Sequence, residues 1–198
     1  MLWYACAYDE TITCRYDPFK MPMISGVICL PYLDWIWCIL TTFFTLTVQQ
    51  SNIRAYYAKL YPYATKQEND NLMMWGLIMI FSFVLIGYFD EHNYKIIHFT
   101  LAFAFFISSC LYSNFLAGKF KKYRDCFPLE EQKHINWMDA LSYLMYIGLF
   151  LMMISKLVHI DTALCEWATG IMFIGYFALA SFVNPYYDSV MPADSKSQ

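Results

Sequence analysis

The chain carries little charge. Only 15% of its 198 residues are Asp, Glu, Lys or Arg, whereas soluble domains carry about 25%. The net charge is −3, and no basic stripe with interleaved aromatic residues is present, so nothing points to a nucleic-acid partner. The few charges lie in short islands between apolar runs, and 59% of the residues are hydrophobic. This composition excludes an ordinary soluble domain and indicates an integral membrane protein.

Several motifs of known chemistry are also missing. The 7 cysteines form no CxxC pair and no Cys/His spacing typical of metal ligands, so we expect no zinc, no haem and no other cofactor. Neither a GxSxG nucleophile motif nor a glycine-rich phosphate loop occurs; these are the local signatures of many hydrolases and nucleotide-binding proteins. Motifs alone therefore do not identify an enzyme.

What the chain does contain is a pair of long apolar runs. Residues 71–89 carry no charge, and residues 96–118 carry one histidine, His98, near their start. A helix of about 20 mostly apolar residues crosses a hydrocarbon core of about 30 Å. The polar turn Asp90–Lys95 between the runs is short, which predicts two antiparallel membrane helices that are neighbours.

Three further apolar runs complete the predicted fold, which is an all-α polytopic transmembrane helix bundle. We interpret residues 51–70 as a polar loop and residues 189–198 as a disordered tail. A single membrane domain over residues 1–188 then contains five spans, near residues 32–50, 72–89, 96–117, 137–155 and 163–183.

The distribution of basic residues predicts the orientation. Nine of the 13 Lys and Arg lie in residues 51–70, residues 118–136 and the C-terminal tail, and the positive-inside bias places these segments in the cytoplasm. The turns at residues 90–95 and 156–162 then lie on the lumenal or extracellular side. Basic residues of the second loop could contact an anionic leaflet; they are Lys119, Lys121, Lys122 and Arg124.

Among the ionisable residues inside predicted spans near the lumenal side, two are functional candidates. They are His98 and Glu166, and burying such a group in a membrane is costly. If the last span packs beside the two neighbouring helices, the two side chains lie at similar depth, and a histidine oriented by a carboxylate can act as a general base. The alternatives are a neutral imidazole bonded to lipid headgroups and a carboxylate that interacts with the helix dipole.

The lumenal rim holds further polar residues. Several of them could bind a polar headgroup or could simply be solvated turn residues: Asp90, Glu91, His92, His159 and Asp161. Cys14 and Cys165 also fall on this side, where an oxidising compartment permits a disulfide between them. Free thiols are the alternative.

Five short motifs, taken together, resemble a known family. In chain order they are Thr13-Cys14, Pro22-Met23-Ile24-Ser25-Gly26, Ile97-His98, Cys165-Glu166-Trp167 and Tyr186-Tyr187-Asp188. Their spacing resembles the Frag/DRAM/Sfk-type membrane proteins, in particular the branch with a CWH-type N-terminal domain that remodels the lipids of GPI anchors. The likeness runs from about Thr11 to Asp188. The family fold has a further helix before the first lumenal loop, so the resemblance implies that this chain lacks that helix, with Met1–Tyr8 as its remnant.

The resemblance implies reacylation of lyso-GPI on GPI-anchored proteins, in a Golgi or endoplasmic reticulum membrane. If the protein is itself the lipid acyltransferase, His98 is the base that activates the glycerol hydroxyl and Glu166 is the group that orients it. Ser25, Lys95 and Glu91 would then contact the headgroup.

A different class of function stays open. Other branches of this family imply a non-catalytic adaptor or lipid-handling protein, connected with autophagy control or phosphoinositide signalling. In that case the basic loop would matter more than His98. A channel or transporter is not supported, because no span has the polar stripe or broken-helix pattern that such pathways use.

Overall fold

The computed structural model describes residues 33–61, 63–89, 91, 93–155, 157 and 160–183. Within these residues the regular structure is entirely helical, which confirms the predicted all-α fold. The expectations for residues 1–32 and 184–198, including the disordered tail, lie outside the described residues.

Helix α1 spans Leu33–Phe44 and continues through a π-helical segment, Thr45–Gln49, into α2, Gln50–Leu60. The later helices are α3, Lys66–Tyr88; α4, Lys95–Lys122; α5, Leu129–Ile154; and α6, Thr162–Ser181. A short 3₁₀ turn, Arg124–Cys126, lies between α4 and α5.

Helices α3 to α6 are long and apolar enough to cross a membrane. Large apolar side chains on their outer faces are exposed, among them Phe81, Phe150 and Ile174. No hydrophobic force drives such side chains inward when the surrounding solvent is lipid. Length, composition and this exposed apolar surface agree with a membrane helix bundle.

The helix ends follow local sequence signals. Thr65 caps α3 in a capping box, in which its side chain accepts from the Glu68 backbone N–H and the Glu68 carboxylate accepts from the Thr65 N–H. Asp161 caps α6 by accepting from the Ala163 N–H at 2.8 Å. Both caps satisfy backbone donors that a helix start leaves without partners.

Consecutive helices pack on one another. α3 lies against α4, α4 against α5, and α5 against α6, while α1 and α2 pack on α3. The core between them contains Tyr112, Leu116, Met138 and Tyr176, all fully buried. Helix α6 also contacts α2 and α4 through the Tyr56 and Tyr176 hydroxyls, and the helices enclose a cavity.

The helix bundle has two ends, which differ in their connecting segments. The turn end is formed by the connections at residues 89–94 and 155–161. The basic end is formed by the connections at residues 61–65 and 123–128.

Candidate functional site

His98 lies one turn into α4, at the turn end, and is only 2% exposed. Its Nδ1 lies 2.7 Å from the backbone oxygen of Phe89, the last residue before the turn. A carbonyl oxygen can only accept, so Nδ1 must carry the hydrogen. In the neutral ring Nε2 then holds the lone pair, which is the arrangement that a general base requires.

Glu166 lies near the start of α6 and is buried, with 8% of its surface exposed. Its helix begins at the Asp161 cap, at the same end of the bundle as His98. Glu166 lies just beyond the first turn of this helix, where the partial positive charge of the N-terminus has largely fallen off. The fold thus holds a second ionisable group, belonging to another helix, at the depth of the histidine.

The two residues line one cavity of about 590 Å³. This volume falls in the range of about 300–1,000 Å³ that is common for ligand pockets. Most of its wall is apolar, and aromatic rings from four helices contribute to it, such as Trp37, Phe83, Phe105 and Phe173. The sequence predicted that His98 and Glu166 could lie at similar depth, and the structure brings both to the same cavity.

The Phe89 carbonyl that holds Nδ1 of His98 is an acceptor that the sequence did not predict. The role of Glu166 in orienting the imidazole stays a prediction. A backbone acceptor fixes the ring and its tautomer as well as a carboxylate does. Catalytic roles for His98 and Glu166 stay predictions.

The other predicted site residues are more scattered. Glu91 lies half-buried in the connection between α3 and α4, and Lys95 is the exposed first residue of α4. Both are at the turn end, although neither lines the cavity. Ser25 lies outside the described residues.

The disulfide expected between Cys14 and Cys165 also stays a prediction. Cys165 is buried beside Glu166 and carries a free thiol in this structure. Cys14 lies outside the described residues.

Most of the cavity wall was not predicted from the sequence, including one indole and two amide side chains. Trp37 of α1, Gln49 of the π-helical segment and Asn52 of α2 all line the cavity. Trp37 packs edge-on against Phe83, with ring centroids 6.0 Å apart. The polar run around Gln49 and Asn52 was assigned to the end of a span and the start of a loop, so neither residue was considered a site residue.

The basic end has internal partners for its charges. Lys119 pairs with Glu68, and Lys122 lies 3.4 Å from the same carboxylate. Lys121 donates to Asp139 at 2.7 Å, and Arg124 donates to the Gln132 side chain at 2.8 Å. These contacts link α3, α4 and α5 and leave the basic residues less available for anionic lipid than the sequence suggests.

No metal centre can be built from the part of the chain that the structure describes, since no three His, Cys, Asp or Glu side chains converge there.

Comparison with known families gives one result that covers nearly the whole chain. Residues 1–182 match the Frag1/DRAM/Sfk1/Cwh43P N-terminal domain. The chain belongs to this family. The match confirms the resemblance to the Frag/DRAM/Sfk family and, with the four apolar helices, supports a multi-pass membrane protein. No curated protein and no solved structure matches the chain.

Proposed function

We propose that this member of the Frag1/DRAM/Sfk1/Cwh43P family acts in the remodelling of GPI-anchor lipids, by reacylating lyso-GPI on GPI-anchored proteins. The observation that supports the proposal most is the position of His98 and Glu166 on one apolar cavity between membrane helices. A lipid acyltransferase needs a base near the membrane surface and an apolar space for a hydrocarbon chain. This cavity supplies both.

The chemistry follows from the tautomer of His98. Its Nε2 takes the proton from the glycerol hydroxyl of the lyso-lipid as the hydroxyl oxygen attacks the carbonyl carbon of an acyl ester or thioester. The new ester forms, the bond from that carbon to the leaving oxygen or sulfur breaks, and the leaving atom takes the proton back from Nε2. The Phe89 carbonyl holds the ring, and the Glu166 carboxylate stabilises the transient imidazolium.

The surroundings of the site complete the proposal. Lys95 and Glu91, at the turn end, and Ser25 contact the polar headgroup, and a Cys14–Cys165 disulfide ties the N-terminal segment to α6. The turn end faces the lumen of the Golgi or endoplasmic reticulum, while the basic end and the C-terminus face the cytoplasm. Residues 1–188 form one membrane domain.

The first prediction concerns the base. His98→Asn retains a side-chain donor for the Phe89 carbonyl but has no group that takes up a proton. General acid–base catalysis contributes about 10²–10⁴-fold, so this variant should fail to restore GPI-lipid composition in cells that lack the protein. Composition is measured by mass spectrometry of the lipid released from GPI-anchored proteins, at matched protein levels.

The control is His134→Asn. His134 lies near the start of α5, its ring packs on Phe182, and it does not line the cavity, so this variant should rescue like the wild type. Full rescue by His98→Asn would contradict the catalytic role.

A second candidate function, lipid handling without catalysis, is favoured by the largely apolar wall of the cavity, which can hold a lipid whether or not a base acts on it. Ala102→Trp fills the cavity, because Ala102 lines it, and leaves His98 in place. Rescue by His98→Asn together with failure of Ala102→Trp would favour lipid handling. A third outcome is that His98→Asn and Ala102→Trp both rescue, while charge reversal at Lys121 and Arg124 does not. That result would favour an adaptor that acts through the basic end.

A further inference from the structure

The cavity between the first and last described helices has two chemically different ends. His98 and Glu166 lie at the turn end, while Gln49 and Asn52 lie toward the basic end. The wall between them is apolar, with aromatic rings on α3, α4 and α6. The distance between these two polar ends sets the length of hydrocarbon that the cavity can hold.

That length is close to that of a lipid chain in one leaflet. On α6 the cavity wall extends from Glu166 to Ala178, which corresponds to about 18 Å at 1.5 Å per residue. On α4 it extends from His98 to Ser109, or about 16 Å. The hydrocarbon core of a bilayer is about 30 Å thick, so one leaflet contributes about half of this.

The cavity is closed on the basic side by a contact between α2 and α6. Tyr56, one turn beyond Asn52 on α2, is 2% exposed and donates to the Phe177 backbone oxygen at 3.3 Å. The Tyr56 and Phe177 rings also pack on each other, 6.2 Å apart. Phe177 in turn stacks on Tyr112 of α4 at 5.8 Å. A hydrocarbon chain that enters at the turn end cannot extend past these rings.

The π-helical segment places amide groups just before this barrier. Gln49, its last residue, is 5% exposed, and its Oε1 accepts from the Thr45 hydroxyl at 3.2 Å. Asn52 follows on α2 and is half-buried. π-helical turns often occur at functional sites, and burying an amide in an apolar environment is costly unless it is hydrogen-bonded.

We propose that the cavity binds one hydrocarbon chain of a lipid, with the polar end of the lipid at His98 and Glu166, and that the amides of Gln49 and Asn52 limit the length of that chain. A longer chain would press its terminal methylenes against these amides and exclude their polar partners, which is unfavourable. The inference deepens the proposed function and rests on it for the identity of the reacting headgroup. Chain binding itself is measured without any acyl transfer.

The experiment uses the full-length protein in lipid nanodiscs and photoreactive lysophospholipids of graded chain length, each with a diazirine near the chain end. Labelling is quantified by intact-protein mass spectrometry, and the labelled residues are located in peptides. Wild-type protein should be labelled around Phe177, up to a limiting chain length. Labelling by longer chains should fall by about tenfold, because such a chain buries an amide without a hydrogen-bond partner.

Asn52→Leu replaces the amide by an apolar group of similar size, so the limiting length should increase by about two methylenes while labelling of shorter chains is unchanged. Asn114→Leu is the matched control, since Asn114 is half-buried on α4 and does not line the cavity. The control should label like the wild type.

Three results would overturn the inference: labelling independent of chain length, the same limit in wild type and Asn52→Leu, or displacement of the probes by a photoreactive sterol that labels the same residues more strongly. The labelling result and the result of the rescue assay can be told apart. If His98→Asn rescues fully but the length limit shifts in Asn52→Leu, the catalytic role is lost and the chain site stands.

Discussion

At the scale of single residues, hydrogen bonds between helices decide how the polar groups of this bundle are held. The imidazole of His98 is fixed by a backbone carbonyl from the preceding helix, Phe89 O. The Tyr176 hydroxyl, fully buried on α6, donates to the Ser113 backbone oxygen on α4 at 2.7 Å. Both contacts join another helix, α3 or α6, to α4 and so help to determine where the cavity wall lies.

Loss of the Tyr176 hydroxyl should destabilise the bundle measurably. Hydrogen bonds between membrane helices contribute about 0.6 kcal/mol on average and up to about 1.7, so Tyr176→Phe should lower the free energy of unfolding by about 1 kcal/mol. Unfolding is followed by thermal or denaturant titration in detergent. Tyr143→Phe is the control, because the Tyr143 side chain is exposed on α5; equal effects of the two substitutions would contradict the buried contact.

His98 and Glu166 could be recognised as candidates from the sequence, because an ionisable residue inside an apolar run stands out without knowledge of how the helices pack. That they share a cavity could not be derived, since it depends on how α4 and α6 pack. The Phe89 contact was equally inaccessible: a backbone acceptor leaves no signature in residue types, and only the turn geometry brings it to Nδ1.

At the scale of elements, the long apolar runs located the membrane helices, while their polar ends were harder to assign. Helix α4 extends to Lys122 and α5 starts at Leu129, each beyond the apolar run that predicted a span. Hydropathy indicates which part of a helix lies in the hydrocarbon core, and a helix can continue beyond that part into water. Residues 51–60 are a polar helix, α2, and not an irregular loop, because Gln49-Gln50-Ser51-Asn52 lowers hydropathy without breaking the helix.

The packing of α5 on α6 depends on a close approach at Gly148. A Cβ atom added there would collide with the Thr169 hydroxyl and lie 3.3 Å from the Met172 side chain. Small residues at such positions let membrane helices approach closely. Gly148→Val should therefore separate α5 from α6 and destabilise the fold by about 1–3 kcal/mol.

Gly118→Val provides the control for this prediction, since nothing lies within 4 Å of a Cβ atom added at Gly118 on α4. Gly118→Val makes the same change in helix propensity as Gly148→Val but without the collision. Thermal unfolding of both variants in detergent measures the difference, and a Gly148→Val variant as stable as Gly118→Val would show that the approach is not tight.

At the scale of the whole molecule, the helices close around a lipid-sized cavity. α1 and α2 pack on α3, α6 packs on α5, and the two groups meet at Tyr56 and Phe177. Membership of the family rests on the match over residues 1–182, and the cavity with its histidine supports the proposed chemistry on a lipid.

The central claim is that this chain itself catalyses acyl transfer, and reconstitution tests it most directly. Purified full-length protein in liposomes is supplied with a lyso-GPI-anchored protein and isotope-labelled acyl donors, one a phospholipid and one a thioester. The account predicts transfer of label to the GPI lipid by the wild type and a rate at least about 100-fold lower for His98→Asn, with His134→Asn unaffected. Folded wild-type protein that transfers no label from either donor, or His98→Asn that matches the wild-type rate, would contradict it.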